Sequence, residues 1–427
     1  MNKKFLTLLL VVCPAIAYAQ ADAWLNKINN KIKTKATARA DKKIDQAIDK
    51  GLDIAEGKNM PAEKTGPAQK KQEDITAAGA KTYVKYDFVP GEHIIYSNNF
   101  ATDNMGELPT GWNSNGSGAV VTLDALRGNG VQLYQNTIYL TDNKVPFTEN
   151  FTLEFDLVLR LTNPKAAFPE FVWGIFSSGS LETTDNELLK NYAGTFATEM
   201  HIQPSGNHQS QINLQTFHNS KNYFRTDISR PGELLQRYNQ VIHVSMQVQK
   251  ERLRIWFDEE KLYDLPKAVT PGMNINQLYF IVKRYGGPDQ EVGYIISNIK
   301  IAKGLPDTRH KLVDEGKFST TGILFDVNSY TILPESNGVL SEIAGVLVKN
   351  PDLKIRIVGH TDSDGDDAAN LELSKKRAAE VKQTLVSNFN IDAARIGSDG
   401  AGESQPAGNN NTKEGKANNR RVEFIKR

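Results

Sequence analysis

Alternation of apolar and polar residues constrains this chain more than any other feature. In Phe151-Thr152-Leu153-Glu154-Phe155-Asp156-Leu157-Val158-Leu159 every odd position is apolar, and every even one except Val158 is polar. Successive side chains of a β-strand point to opposite faces, so this run predicts a strand with one buried face. Ile242, Val244, Met246 and Val248 alternate the same way, Gln249-Lys250-Glu251 supplies a turn, and Leu253, Ile255 and Phe257 return, which predicts a β-hairpin. Residues 278–283 and 294–301 add strands, and nothing helical intervenes. Residues 86–303 are therefore expected to form an antiparallel sandwich or a barrel. A membrane barrel also alternates with period two, but strands such as 211–217 fall short of the roughly 9 to 11 residues needed to span a bilayer.

The chain has 427 residues, enough for two or three domains of roughly 100 to 200 residues each. Basic and acidic residues nearly cancel at 51 and 50, which argues against a polybasic nucleic-acid binder. The single cysteine, Cys13, permits no disulfide framework, and no cofactor is expected. Lys3 and Lys4, the apolar stretch 5–12 and Ala17-Tyr18-Ala19 read as a secretory signal over residues 1–19, and no later stretch is long and apolar enough for a transmembrane helix. Had Cys13 instead become the new N-terminus, the protein would be a lipoprotein, although Val12 before it is large for that processing.

Residues 20–56 form a predicted helical segment in which Trp24, Ile28, Ile32, Ala36, Ala40, Ile44, Ile48 and Leu52 recur every fourth position. At 3.6 residues per turn this stripe winds around the helix. Ridges of Lys27, Lys31 and Lys35 and of Asp41, Asp45 and Asp49 wind with it, and like charges four apart destabilise an isolated helix. Docking on a partner, self-association, an anionic surface or a partly frayed solvated helix all fit. Residues 57–85 and 304–321 read as linkers. Residues 322–427 return to mixed patterning: a strand at 323–325, a helix at 334–348, a buried strand at 353–359, a helix at 367–388, and strands at 395–398 and 421–426. That order predicts a two-layer βαβαββ module.

Phe100, then Gly106-Glu107-Leu108-Pro109-Thr110-Gly111-Trp112, the hairpin ending Arg254-Ile255-Trp256-Phe257-Asp258, and Ile296-Ser297-Asn298-Ile299-Lys300-Ile301 resemble the concanavalin A-like jelly roll. That fold hosts binding modules and glycoside hydrolases, so function must be argued from a site. Hydrolases on it carry Glu-x-Asp-x-Glu or Glu-x-Asp-x-x-Glu along one strand, because retaining chemistry needs two carboxylates about 5 Å apart. Glu154-Phe155-Asp156 begins the pattern, but Val158 and Leu159 stand where the second glutamate belongs. The two acids are then expected on the solvent face of a half-buried strand, and the protein is expected not to be an enzyme. A glycan-binding or adhesive sandwich, using aromatics such as Trp112, Trp173, Tyr223 and Trp256, is the alternative.

The C-terminal module carries the most specific motif. Gly359-His360-Thr361-Asp362, Gly365, Asn370, Leu373-Ser374, Arg377-Ala378 and Val381, then Gly400-Ala401-Gly402-Glu403 and Asn419-Arg420-Arg421-Val422-Glu423, strongly resemble the OmpA-like peptidoglycan-binding domain. Asp362 falls just past a buried strand, where α/β folds place ligand groups. Asn370 and Arg377 lie seven residues apart on the next helix, so they share an edge of its apolar stripe. A carboxylate and a guanidinium at one mouth suit a zwitterion. The resemblance implies that Asp362 takes the ammonium, and Arg377 the carboxylate, of the diaminopimelate in peptidoglycan stem peptides. It further implies polar contacts from Asn328, Thr361 and Asn370 and a supporting charge from Arg420, with His360 structural. Asp364, Asp366 and Asp367 make the loop acidic, but Gly365 and Leu373 break an EF-hand pattern, so helix capping and attraction of a cationic ligand are expected in place of a metal. The sequence thus predicts a multidomain, non-catalytic envelope protein, located in the periplasm and associated with the cell wall and the outer membrane. Peptidoglycan is its expected partner, with a second glycan or envelope protein for the sandwich.

Overall fold

In the computed structural model the described residues are 86–427, apart from 127, 164–165, 191–195, 206–208, 233–236 and 273. The predicted signal, the helical segment at 20–56 and the linker at 57–85 lie outside them. Two antiparallel sheets make up residues 93–303. The first runs Glu260–Leu265, Arg252–Phe257, Val241–Gln249, Asn150–Leu161, Val292–Lys303, Asn129–Leu133, Gly118–Thr122, with His93–Asn98 also paired to Val292–Lys303. The second runs Lys221–Arg225, Gln211–His218, Phe196–Gln203, Phe171–Ser177, Gln277–Val282, Thr137–Leu140, Asn113–Ser114.

The sheets pack face to face on the side chains that the alternation assigns inward. Phe155 lies edge-on to Trp173 and Phe280 at 5.2 and 5.5 Å between centroids, and Phe171 stacks on Tyr294 at 4.5 Å. Such offset and edge contacts add about 0.5 to 1.5 kcal/mol per pair to area burial. Leu153, Leu157 and Leu159 join this core from one sheet, and Ile175, Met200 and Leu214 from the other. The predicted hairpin is present, pairing Val244 with Phe257 and Val248 with Leu253. The region is therefore a two-layer sandwich.

Three corrections follow. Glu154 and Asp156 do point away from the core, but their face does not meet solvent: Glu154 is 6% exposed. Alternation assigns a face; it does not say what covers it. Here residues 86–91 lie across the outer face, with Phe88 packed edge-on to Trp256 at 5.3 Å and the Gly91 amide donating to Thr152 Oγ1 at 2.8 Å. The second correction concerns 304–321. This segment is no free linker, because Lys317–Thr320 is an edge strand of the C-terminal sheet, paired to Val422–Lys426, and Leu312 and Phe318 are buried in that domain's core. Third, 323–325 is not a strand: Phe325 makes one bridge to Ile332 across a turn in which Asn328 takes a positive φ of 51°.

The C-terminal sheet therefore runs Lys317–Thr320, Val422–Lys426, Ile355–His360, Ile396–Gly402. Helices α1 (Asn337–Lys349) and α2 (Asp367–Phe389) pack on one side, and a short α3 (Lys413–Asn419), which the sequence reading missed, precedes the last strand. The sandwich and this α/β domain are docked within one compact unit spanning 81–427. Asn418 on α3 exchanges two hydrogen bonds with the backbone of Ile94, at 3.0 and 2.9 Å. Lys413 reaches Asn98 at 3.0 Å, Asn337 reaches Glu259 at 2.6 Å, and Lys311 pairs with Glu92 at 3.0 Å. At Gly338 the backbone of α1 approaches so closely that a Cβ would run into the Phe88 carbonyl, a close approach only glycine permits.

Candidate functional site

Asp362 is set by the end of the Ile355–His360 strand, which pairs parallel with Ile396–Gly402 and antiparallel with Val422–Lys426. Past its last residue the chain is held by the amides of His360 and Thr361, which donate to the carbonyls of Arg421 and Gly402, both at 3.0 Å. Helix α2 begins where Asp366 Oδ1 accepts from the amides of Ala368 and Ala369, both at 3.0 Å, the cap expected of the acidic loop. A Cβ at Gly359 would strike the Ser374 carbonyl, so glycine here lets α2 lie against the strand and brings its Asn370–Arg377 edge to the mouth.

All six residues singled out from the sequence line one cleft of about 380 Å³, but their engagements differ. Asp362 is buried, its side chain 11% exposed; its carboxylate accepts from Arg420 Nη1, and Oδ1 also takes the Asp364 amide at 3.3 Å. Arg377 stacks over the Phe325 ring at 4.8 Å and donates its Nε to the Ser329 carbonyl at 2.9 Å. Its two terminal nitrogens make no hydrogen bond among the described residues. Burial presses the Arg377 charge below its ordinary range, Asp362 works in the opposite sense, and Arg420 adds to the pressure. An anion laid against the free end would relieve that burial penalty. Thr361 Oγ1 is buried with no hydrogen-bond partner among the described residues, which leaves a donor or acceptor for an occupant.

Asn370 is spent on the loop: its Nδ2 donates to the Asp362 and Asp364 carbonyls at 3.3 and 3.1 Å and to Glu403 at 2.8 Å. Asn328 stands exposed at the rim. Arg421, beside Arg420, turns inward instead and donates to Glu423 at 3.0 Å. Burial opposes the Glu423 charge, yet His360, Lys317 and Arg421 hold its carboxyl down at about 2. Glu403, quoted above only as part of the motif, orients Asn370, and Phe325 and Ser329, to which the sequence assigns no site role, orient Arg377. Nothing in Phe325-Asp326-Val327-Asn328-Ser329 signals a platform for a distant arginine.

The sandwich supplies the opposite wall through Asn98, Asn298 and Lys300 among others. Asp156 and His243 also line this wall and belong to a buried ion cluster in which His243 Nδ1 meets Asp156 at 2.8 Å and Nε2 lies 3.4 Å from Glu154. Burial disfavours the imidazolium, but Asp156 and Glu154 hold its pKa up at about 10. Two places beyond Asp156, Val158 packs with Leu126 and Ile295, so no third acid joins them on this strand. Trp112, Trp173 and Trp256 are all buried, which removes them as a sugar-stacking surface, whereas Tyr223 is exposed. Among the described residues no group of three or more His, Cys, Asp or Glu is placed to hold a metal ion, and Asp364 pairs with Lys416 at 2.6 Å. No described helix is long and apolar enough to cross a membrane.

Residues 324–420 match the model of the OmpA family. Outer-membrane lipoprotein YfiB of Pseudomonas aeruginosa is 36% identical over 123 residues, 28% of this chain and 73% of that protein. Outer membrane protein A of Bordetella avium is 45% identical over 101 residues, 23% of this chain and 51% of that protein. Outer membrane protein Omp38 of Acinetobacter baumannii is 40% identical over 100 residues, 23% and 28% respectively. The chain thus spans about half or less of the first curated relatives it matches. Among solved structures, the peptidoglycan-associated lipoprotein of Burkholderia pseudomallei is 28% identical, covering 26% of this chain and 89% of that one, with a TM-score of 0.23.

Proposed function

The chain belongs to the OmpA family through its C-terminal domain, and from that premise we propose that it is a non-catalytic envelope protein that binds peptidoglycan non-covalently. Its ligand is the free diaminopimelate centre of a stem peptide, with the ammonium against Asp362 and the carboxylate on the terminal nitrogens of Arg377. The observation that carries this reading is the state of Arg377: a partly buried guanidinium whose Nε and ring face are engaged while its outer end opens into the cleft beside Asp362. A planar fork so held is ready for bidentate capture of a carboxylate. Thr361 and Asn328 add polar contacts, Arg420 orients Asp362, and Asn370 keeps the Asp362 loop in place.

On this reading the protein tethers the cell wall from the periplasmic side and associates with the outer membrane. The sandwich before it is a concanavalin A-like jelly roll without a catalytic pair. The test is co-sedimentation of the full chain with purified sacculi. Arg377→Ala should weaken binding by about 1.5 to 3 kcal/mol, the scale of a charge-assisted hydrogen bond, without changing the circular dichroism spectrum. A folded variant that sediments like the wild type would remove Arg377 from the site.

A further inference from the structure

The wall facing Asp362 and Arg377 carries a basic side chain, Lys300, that makes no direct ion pair among the described residues. Lys300 is half-buried on the outer face of the sandwich. It makes no ion pair within 4 Å and no side-chain hydrogen bond among the described residues. Its charge helps to stabilise the buried Glu154 and Asp156, but their direct contacts are made with His243, which leaves the Lys300 ammonium itself uncontacted. Lys300 borders the 380 Å³ cleft, and with Arg377 and Arg420 it also borders an adjoining recess of about 130 Å³.

Its orientation is set by a β-bulge. The pairing of Val292–Lys303 with Asn150–Leu161 shifts register between Ser297 and Lys300, and Asn298 there has a positive φ of 48°. Bulges re-aim side chains. Upstream the even positions Val292, Tyr294 and Ile296 face the core; the extra residue switches this to the odd positions Ile299 and Ile301, so that Lys300 stands in the cleft. Asn298 stabilises the bulge by donating Nδ2 to Asp156 at 2.7 Å.

We propose that Lys300 is a second anchor for the stem peptide, taking a carboxylate other than the one on the free diaminopimelate centre. This rests on the reading that the centre lies between Asp362 and Arg377. A stem peptide has further carboxylates, on its D-glutamyl residue and at its C-terminus, whereas its amides and the attached glycan offer Lys300 no comparable charge. The cleft is large enough for more than one amino-acid end, since it falls within the roughly 300 to 1,000 Å³ of small-molecule sites. The sandwich is then part of the peptidoglycan site, because the docking through Asn418, Lys413 and Asn337 fixes Lys300 opposite Arg377.

The test is calorimetric titration of the full chain with two ligands at fixed ionic strength. One is the tetrapeptide L-alanyl-D-glutamyl-diaminopimelyl-D-alanine. The other is the same peptide with its D-glutamyl and C-terminal carboxylates amidated and its free diaminopimelate centre intact. Lys300→Met should weaken binding of the first about tenfold, the scale of one charge-assisted hydrogen bond, and leave the second within about twofold. Lys300→Arg should retain binding of both. A Lys300→Met protein that binds the first as tightly as the wild type, or loses both equally, overturns the anchor while the diaminopimelate reading stands. Absence of binding by the wild type overturns both, and Arg377→Ala separates the two ideas by losing both peptides.

Discussion

The carboxylate of Asp362 is held by Arg420, not by Arg377. The two residues expected to grip opposite charges of one ligand are therefore not tied to each other. Asp362 has an arginine on one oxygen, and the outer nitrogens of Arg377 make no hydrogen bond among the described residues.

Asp362→Asn removes the proposed partner of the ligand ammonium, whereas Arg420→Ala removes only the group that orients it. Asp362→Asn should weaken sacculus binding by about 1.5 to 3 kcal/mol. Arg420→Ala should cost less than about 1 kcal/mol, since its side chain is 42% exposed and exposed pairs contribute little. Arg420→Ala as damaging as Asp362→Asn would make Arg420 a direct ligand group.

The docking of the sandwich on the α/β domain is testable through stability. Gly338→Val forces a side chain into the Phe88 carbonyl and should destabilise the protein by about 1 to 3 kcal/mol, the range for overpacking. Urea denaturation followed by intrinsic fluorescence measures it. In the wild type, limited proteolysis should spare 317–320, which is hydrogen-bonded in the sheet. Early cleavage there would contradict the docked arrangement.

The Glu154–His243–Asp156 cluster sets a pH dependence. His243 binds its proton more tightly in the folded protein, about 10 against an ordinary 6.5. Its contribution is therefore complete below about 6.5 and is lost as pH rises towards 10. Burial raises the Glu154 and Asp156 pKa values, but His243 and Lys300 more than offset this and hold both below their ordinary range. Their contribution is present above the ordinary carboxylate range and is lost on acidification. His243→Gln should cost about 3 to 5 kcal/mol at pH 6, because it takes from two buried carboxylates the imidazolium in direct contact with them. The gap between wild type and variant in thermal melts should narrow between pH 7 and 10; a constant gap would mean that His243 is neutral when folded.

Local pattern made much of this molecule legible. The run 151–159, the hairpin through Gln249-Lys250-Glu251 and the long helix begun by Asp366 all follow from period and capping, which act within a few residues. The motif residues Gly359, Asp362, Asn370 and Arg377 were also readable, as was their convergence on one mouth. What escaped was set by distant partners. Lys317–Thr320 is a strand only because Val422–Lys426 lies beside it, and its flanking glycines imitate a linker. Glu154 looks solvent-facing until residues 86–91 are seen to lie across its face of the sheet. The aim of Lys300 depends on a bulge that the sequence marks only by Asn298, and the pairing of Arg420 with Asp362 spans 58 residues.

The most direct measurement is titration of the full chain with a diaminopimelate stem peptide and with its lysine counterpart at the same salt concentration. Both offer Asp362 an ammonium, but lysine lacks the second carboxylate and leaves the Arg377 fork unfilled. The account predicts an affinity for the lysine peptide at least about tenfold lower, the cost of one charge-assisted hydrogen bond, and a difference that vanishes in Arg377→Ala. Equal affinity of the wild type for both peptides would contradict it.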